Sequence, residues 1–255
     1  MIDIHCHILP GLDDGPKNEN QSIEMAKAAV TEGITSIIAT PHHRHPSFSN
    51  EGCTIKDTTE LFNQRLKQEN IELTILPGQE VRMVGDIAQG LETKELLTLA
   101  DGNKYLFLEL PSSHVPRYAA NIIYQTQLSG ITPIIVHPER NKELIEKPEV
   151  IYDFVKNGAL TQLTASSITG HFGKNIKKFS EQIIESNLTH FIASDAHNIE
   201  SRPFRLQESY MLIEKVFGTG TVYQFQENAQ LLLEHQHIAM VQPEPIKRRK
   251  FLGIF

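Results

Sequence analysis

What this chain has little of narrows its chemistry before any motif is read. Only two cysteines, Cys6 and Cys53, occur among 255 residues, which leaves no disulfide framework and agrees with a reducing compartment. Six positions beyond them stand Leu12 and Thr59 rather than arginine, so the Cys-x5-Arg loop of thiol phosphatases is missing. No apolar stretch approaches the ~20 residues that cross a bilayer, and the first residues lack the basic-then-apolar pattern of a signal peptide. A cytoplasmic protein is therefore expected. The formal charge of -7 denies the chain the broad basic face that nucleic-acid binding requires. Internal repeats and low-complexity blocks are also absent.

A 40% hydrophobic content over 255 residues is ample for one large core. Apolar, β-branched runs predict seven strands: Met1–His5, Thr35–Thr40, Glu72–Leu76, Lys104–Leu110, Thr132–His137, Ala159–Ala165 and Thr189–Ser194. Helical spacing of apolar residues predicts helices over Asn20–Glu32, Thr54–Asn70, Arg117–Leu128, Pro148–Lys156, Asn175–Ser186, Phe204–Phe217 and Val222–His235. Thr54 and Asp57 suggest a capping arrangement at the start of the second. Strand and helix alternating in this way signal a parallel α/β sheet.

Residues suited to metal binding follow the apolar runs. His5 and His7 share one face of an extended segment while Cys6 faces the other. Further along come Asp13-Asp14-Gly15, Thr40-Pro41-His42-His43, Gly78-Gln79-Glu80, Leu108-Glu109-Leu110, His137-Pro138-Glu139-Arg140 and Ser194-Asp195-Ala196-His197. These sites follow at least six different strands, and a closed barrel gathers such strand ends round one mouth. A single-domain barrel over residues 1–240 is expected, with a basic-apolar tail over 241–255 that includes Lys247-Arg248-Arg249-Lys250.

The candidate ligands are His5, His7, Asp14, His42, Glu80, Glu109, His137, Asp195 and His197, with His43 an alternative to His42. Nitrogen and oxygen donors without thiolate suit manganese, iron or zinc. The set exceeds what one ion uses, which implies two or three ions. Three divalent ions against four carboxylates leave roughly +2, a match for a phosphate dianion. The chemistry expected is attack on phosphorus by metal-activated hydroxide. Arg140 and Arg202 suit phosphate contacts, Arg44 less so, and His42 or His197 could protonate a leaving group if spared from metal. The tail could bind an anionic membrane, another subunit or an acidic substrate.

Together these motifs resemble the polymerase-and-histidinol-phosphatase (PHP) domain. More closely, the whole chain resembles the manganese-dependent bacterial tyrosine phosphatases of the CpsB/YwqE type, encoded with capsule and exopolysaccharide genes. The resemblance implies a distorted seven-stranded β/α barrel, TIM-like in outline, with three metals. One would take His5, His7, Glu80 and Asp195, another Glu80, Glu109 and His137, and the third Asp14, His42 and His197. It also implies a phosphotyrosine-bearing substrate, a membrane-associated tyrosine autokinase, and thus a membrane-proximal enzyme. Competing readings are a small-molecule phosphatase such as histidinol-phosphatase, an amidohydrolase or metal-dependent DNase on a related barrel, and a non-catalytic regulatory module braced by metal.

Overall fold

The computed structural model describes residues 1–246, and the basic-apolar run 247–255 lies outside the described residues. The chain opens with β1 (Ile2–Cys6), α1 (Glu19–Thr31), β2 (Ser36–Ala39), β3 (His42–His43), α2 (Gly52–Gln68), β4 (Thr74–Pro77), β5 (Glu80–Arg82) and α3 (Ile87–Glu92). It continues through β6 (Tyr105–Glu109), α4 (Ala119–Leu128), β7 (Thr132–Val136), α5 (Lys142–Glu146), α6 (Glu149–Lys156) and β8 (Leu160–Thr164). The last elements are α7 (Ala165–Thr169), α8 (Lys174–Glu185), β9 (Phe191–Ala193), α9 (Leu206–Phe217) and α10 (Thr219–Leu233).

All pairing between these strands is parallel, in a three-stranded sheet β1-β2-β4 and a six-stranded sheet β3-β5-β6-β7-β8-β9. The seven expected strands are joined by two short ones, β3 and β5, which continue β2 and β4 beyond a break. Pro41 has no N–H to give to a ladder, so β2 stops before it and β3 resumes after it. Opposite, the break falls at Gly78, where a Cβ would meet Ile38 Cγ2 at 2.7 Å. Only glycine admits that approach. The register carries across both breaks, from Ala39↔Pro77 to His42↔Glu80. At the far edges β1 meets the chain beyond β9, with His7 N donating to Ala196 O and Asp195 N to His5 O, each at 2.9 Å.

Both faces of the strands are buried. Ile4, Ile38, Phe107, Ile134, Val136 and Phe191 form one cluster, closed from below by Ala229 and Leu232 of α10. Cys6, Ile37, Leu106, Leu108, Ile135 and Ile192 face the helices in the other. The predicted Thr54 cap is not used. Helix α2 begins at Gly52, with Glu51 at its N-cap making no side-chain bond. Tertiary contact decides this start, since Gly52 N donates to Glu95 O at 3.2 Å. Helices α3, α5 and α7 are five or six residues long, too short to show a helical period in the sequence. Near its described end the chain returns beneath the strands, where Glu244 N donates to Ser186 O at 2.9 Å.

His190, just before β9, accepts a bond on Nδ1 from Thr161 N at 3.1 Å. Burial lowers its pKa from 6.5 to about 4. Below pH 6.5 the unfolded chain therefore binds a proton that the folded chain refuses, and stability falls as pH falls. Between pH 7.5 and 5 this loss should reach about 2 kcal/mol. Urea unfolding of the metal-free protein and of its His190→Asn variant should show pH-dependent losses between these two values that differ by that increment.

Candidate metal centre

The strand C-termini bring the expected ligands to one mouth. His5 Nε2 lies 3.5 Å from both Glu80 Oε2 and Asp195 Oδ1. His7 Nε2 lies 3.2 Å and 3.4 Å from the same two oxygens, and the two Nε2 atoms are 3.3 Å apart. Atoms sharing one ion at about 2.1 Å would be separated in this way. The tautomers sharpen the point. His7 Nδ1 stands 2.6 Å from Asp13 Oδ2, and an ionised carboxylate can only accept, so Nδ1 carries a proton. His5 Nδ1 likewise faces Gln162 Oε1 at 2.9 Å. Burial opposes charge on His7, but Asp13, Asp195 and Glu80 raise its pKa well above the ordinary value; a divalent ion would take the place of the Nε2 proton.

Glu80 joins this group to the others. Its Oε1 is 2.7 Å from His137 Nε2, and its Oε2 is 2.9 Å from His42 Nδ1. Glu109 Oε2 approaches His42 Nδ1 at 3.9 Å. On the outer side Asp14 Oδ1 lies 3.2 Å from His197 Nε2 and 3.5 Å from His42 Nε2. Three groups have ligand atoms within 4.8 Å of one another: His5, His7 and Glu80; His42, Glu80 and Glu109; and His7, Asp14, His42 and His197. His137 meets them through Glu80, and Asp195 through His5 and His7. Buried His42 Nδ1, Glu80 Oε2, Glu109 Oε2, Asp195 Oδ1 and His197 Nε2 have no hydrogen-bond partner. Divalent cations fit this donor set, because they satisfy orphaned oxygens and imidazole nitrogens together.

Backbone strain aims two of these side chains. His137 at the end of β7 has φ 35° and Asp195 beyond β9 has φ 53°, a left-handed conformation that costs a non-glycine residue about 1–3 kcal/mol. Asp195 is further held by Arg140 at 2.5 Å and Arg202 at 2.9 Å, both on Oδ2. Arg202 also reaches Asp14 Oδ2 at 3.4 Å. Both predicted arginines are thus at the mouth, each paired with a carboxylate.

Alternation in β3 turns His43 away to Glu95 at 2.9 Å, so His42 is the histidine that reaches the centre. Arg44 binds the same Glu95 at 2.8 Å and stays outside. Cys6 is buried behind the histidines, with Sγ 3.5 Å from Ala196 O. Burial, then the charges of Asp3 and Asp195, push its thiol well above the ordinary range. A thiolate nucleophile there is disfavoured.

Three contributors escaped the sequence reading. Asp13 orients His7 and also accepts from His42 N at 3.1 Å; its signal was its place beside Asp14. Arg82, two residues after Glu80 on the same strand face, pairs with Glu109 Oε1 at 2.7 Å. Gln162 lies mid-strand in β8 and carries no local mark of its role.

Electrostatics separate the groups. Burial would raise the Glu80 carboxyl, yet His42 and His5 hold it well below the usual range. Burial and the adjacent Glu80 charge push Glu109 up to about 7. His137 is lowered to about 4 by burial and Arg140, and His197 to about 4 by burial and His7. With the imidazoles neutral, as metal ligation requires, and the other groups ionised, Asp13, Asp14, Glu80, Glu109 and Asp195 outnumber Arg82, Arg140 and Arg202 by two negative charges, which attracts cations.

Binding of a divalent ion to the folded chain alone should raise its stability by about 2.7 kcal/mol at a hundredfold excess over Kd. Chemical denaturation with and without manganese, iron(II) or zinc measures this. Glu80→Gln should abolish most of the gain, and Asp13→Asn should weaken ion affinity about 10–100-fold. A wild-type protein stabilised by none of the three ions would remove the metal reading.

Comparison with known proteins bears on this geometry. Residues 1–234 match the family described as capsular polysaccharide synthesis, CpsB/CapC. The chain is 49% identical over 255 residues to YwqE of Bacillus subtilis (strain 168), named a tyrosine-protein phosphatase, with all of both chains covered. It is 38% identical over 255 residues to CapC of Staphylococcus aureus, again covering all of both. A solved structure superposes with a TM-score of 0.95 at 49% identity, covering 97% of this chain and 100% of the other. It comes from crystal structures of YwqE from Bacillus subtilis and CpsB from Streptococcus pneumoniae, described as metal-dependent tyrosine phosphatases. The chain therefore belongs to the CpsB/CapC family of capsular polysaccharide synthesis.

Proposed function

We propose that this protein is a metal-dependent phosphatase that hydrolyses phosphotyrosine in proteins. The observation that carries the reading is the convergence of buried, unpartnered imidazole and carboxylate atoms at one mouth bordered by arginines. Kinship with YwqE supplies the substrate class. The ligands would be shared among three ions as His5, His7, Glu80 and Asp195; Glu80, Glu109 and His137; and Asp14, His42 and His197. Manganese is the first choice, and iron or zinc suit the same donors. When bound, the ions supply Lewis-acid charge and lower the pKa of water towards ~7.

The chain's own residues do the rest. Arg140 and Arg202 hold Asp195 through Oδ2 and turn their remaining N–H groups to the phosphoryl oxygens. Asp13 and Gln162 keep the Nε2 atoms of His7 and His5 directed inward. His42 and His197 already aim ring nitrogens at carboxylates, which favours ligation over proton donation. A phenolate, with pKa near 10, is a good enough leaving group to need little acid help.

The proposed architecture is a single distorted seven-stranded barrel over residues 1–240. Its support is the unbroken register across both strand interruptions and the β1 bonds to residues 195 and 196. No helix among the described residues is long and apolar enough to cross a membrane. The protein substrate we infer is a membrane-associated tyrosine autokinase of capsule or exopolysaccharide synthesis, met by a cytoplasmic, membrane-proximal enzyme. The tail 241–255 would add affinity for that membrane or kinase. Its root beneath the strands favours tethering over direct work at the mouth.

Phosphate release from a phosphotyrosine peptide and from histidinol phosphate tests the reading. The peptide should be preferred at least tenfold in kcat/KM, chelation should abolish turnover, and manganese should restore it. Activity surviving full chelation, or a preference for histidinol phosphate, would sink the proposal. Arg140→Ala should lower kcat/KM by about 10²–10³. Deletion of 247–255 should slow dephosphorylation of the kinase while sparing a small aryl phosphate, and equal loss on both would deny the tail that role.

A further inference from the structure

The turn after β3 carries two aromatic rings that the metal centre does not use. Arg44 starts it in a left-handed conformation, φ 54°, with its guanidinium bound to Glu95 and to the carbonyls of Val84 at 3.1 Å and Asp86 at 3.2 Å. Asn50 ends it, donating to Leu12 O at 2.9 Å and His42 O at 2.8 Å. Between these pins His45 and Phe48 exchange backbone bonds of 3.0 and 3.1 Å. Ser47 N donates to His45 Nδ1 at 3.2 Å and fixes that ring's orientation.

The two rings pack against each other and both against His42. The centroid of His45 lies 4.9 Å from that of His42 with planes 24° apart, and Phe48 lies 5.4 Å from His45 at 21°. Phe48 is also nearly parallel to His42, at 6.0 Å and 10°. Both His45 and Phe48 are only half-buried. A rigid, partly exposed aromatic face thus stands beside a residue whose nitrogens point at Glu80 and Asp14. In a phosphotyrosine one ester oxygen separates phosphorus from the ring, so a phosphoryl group held beside His42 would leave the ring within reach of this wall. Aromatic pairs attract at centroid separations of about 4.5–7 Å, a gain that an alkyl phosphate lacks.

We propose that His45 and Phe48 form the aryl-binding wall of the site and set its preference for aryl over alkyl phosphates. The proposal rests on the phosphotyrosine reading above. Its test uses the full-length, manganese-loaded protein with Phe48→Leu and Phe48→Tyr. Turnover of one peptide carrying phosphotyrosine or phosphoserine is compared, together with calorimetric binding of benzylphosphonate and methylphosphonate. Phe48→Leu should lower the aryl-to-alkyl ratio of kcat/KM about tenfold, chiefly through KM. It should weaken benzylphosphonate relative to methylphosphonate by a similar factor, while Phe48→Tyr keeps both ratios and metal content stays at the wild-type level. Equal weakening towards both phosphonates, or loss of bound manganese from Phe48→Leu, would make the ring a mere shelter for His42 and overturn the proposal. A wild-type protein that binds benzylphosphonate over methylphosphonate yet turns over no phosphotyrosine would instead overturn the activity, leaving the wall intact.

Discussion

The buried Glu80 carboxylate is the constraint on which the rest of the structure depends. It sits fully buried, with imidazoles of His5, His7, His42 and His137 round its two oxygens. An ionised carboxylate removed from water costs several kcal/mol unless cations and donors offset the loss. Histidine charge offsets part of that cost, yet Glu80 Oε2 is left without a hydrogen-bond partner. The arrangement is therefore poorly satisfied by protein alone and well satisfied by divalent ions. Much of the surrounding architecture keeps these atoms facing one another.

That holding work is spread over many elements. Asp3, a buried residue of β1, accepts from Ser194 N at 2.9 Å and so ties the chain after β9 to the strand that carries His5 and leads into His7. Asp13 fixes one imidazole and the backbone of His42 at once. Glu139 accepts from Thr164 N at 3.0 Å and from Ser167 Oγ at 2.7 Å, anchoring the turn between His137 and Arg140. The left-handed backbones of His137 and Asp195 are strained conformations maintained by these contacts. Function follows from the same economy of charge. With its imidazoles neutral the centre is negative; bound divalent ions would make it positive, and only then would it suit a phosphate dianion.

The protein's overall acidity is thus compatible with an anionic substrate. Guanidiniums at Arg82, Arg140 and Arg202 pair with Glu109, Asp195 and Asp14, so the carboxylate charge at the strand ends is partly neutralised by the protein itself. Solvent screening over about 8–10 Å separates this mouth from distant acidic faces. Aromatic contact beside His42 then offers a second level of selection, acting on what the phosphate is attached to rather than on the phosphate.

Much of this was legible in the chain itself, because strands carry their own marks. Alternation placed His5 and His7 on one side and Cys6 on the other, and apolar runs located the strand ends where ligands gather. The strand breaks were less visible. Pro41 and Gly78 each lie inside an otherwise strand-like stretch, and their effect depends on the neighbouring strand that packs against them. Local sequence also determined that the donors were nitrogen and oxygen rather than thiolate, which excluded a cysteine mechanism. Tertiary structure alone decided that His42 rather than His43 faces the centre, that Asp13, Arg82 and Gln162 support it, and that Arg140 and Arg202 both close on Asp195. The reason is physical: periodicity reports which face a residue occupies on its own element, whereas these contacts join residues up to 157 positions apart and exist only once the strands are assembled.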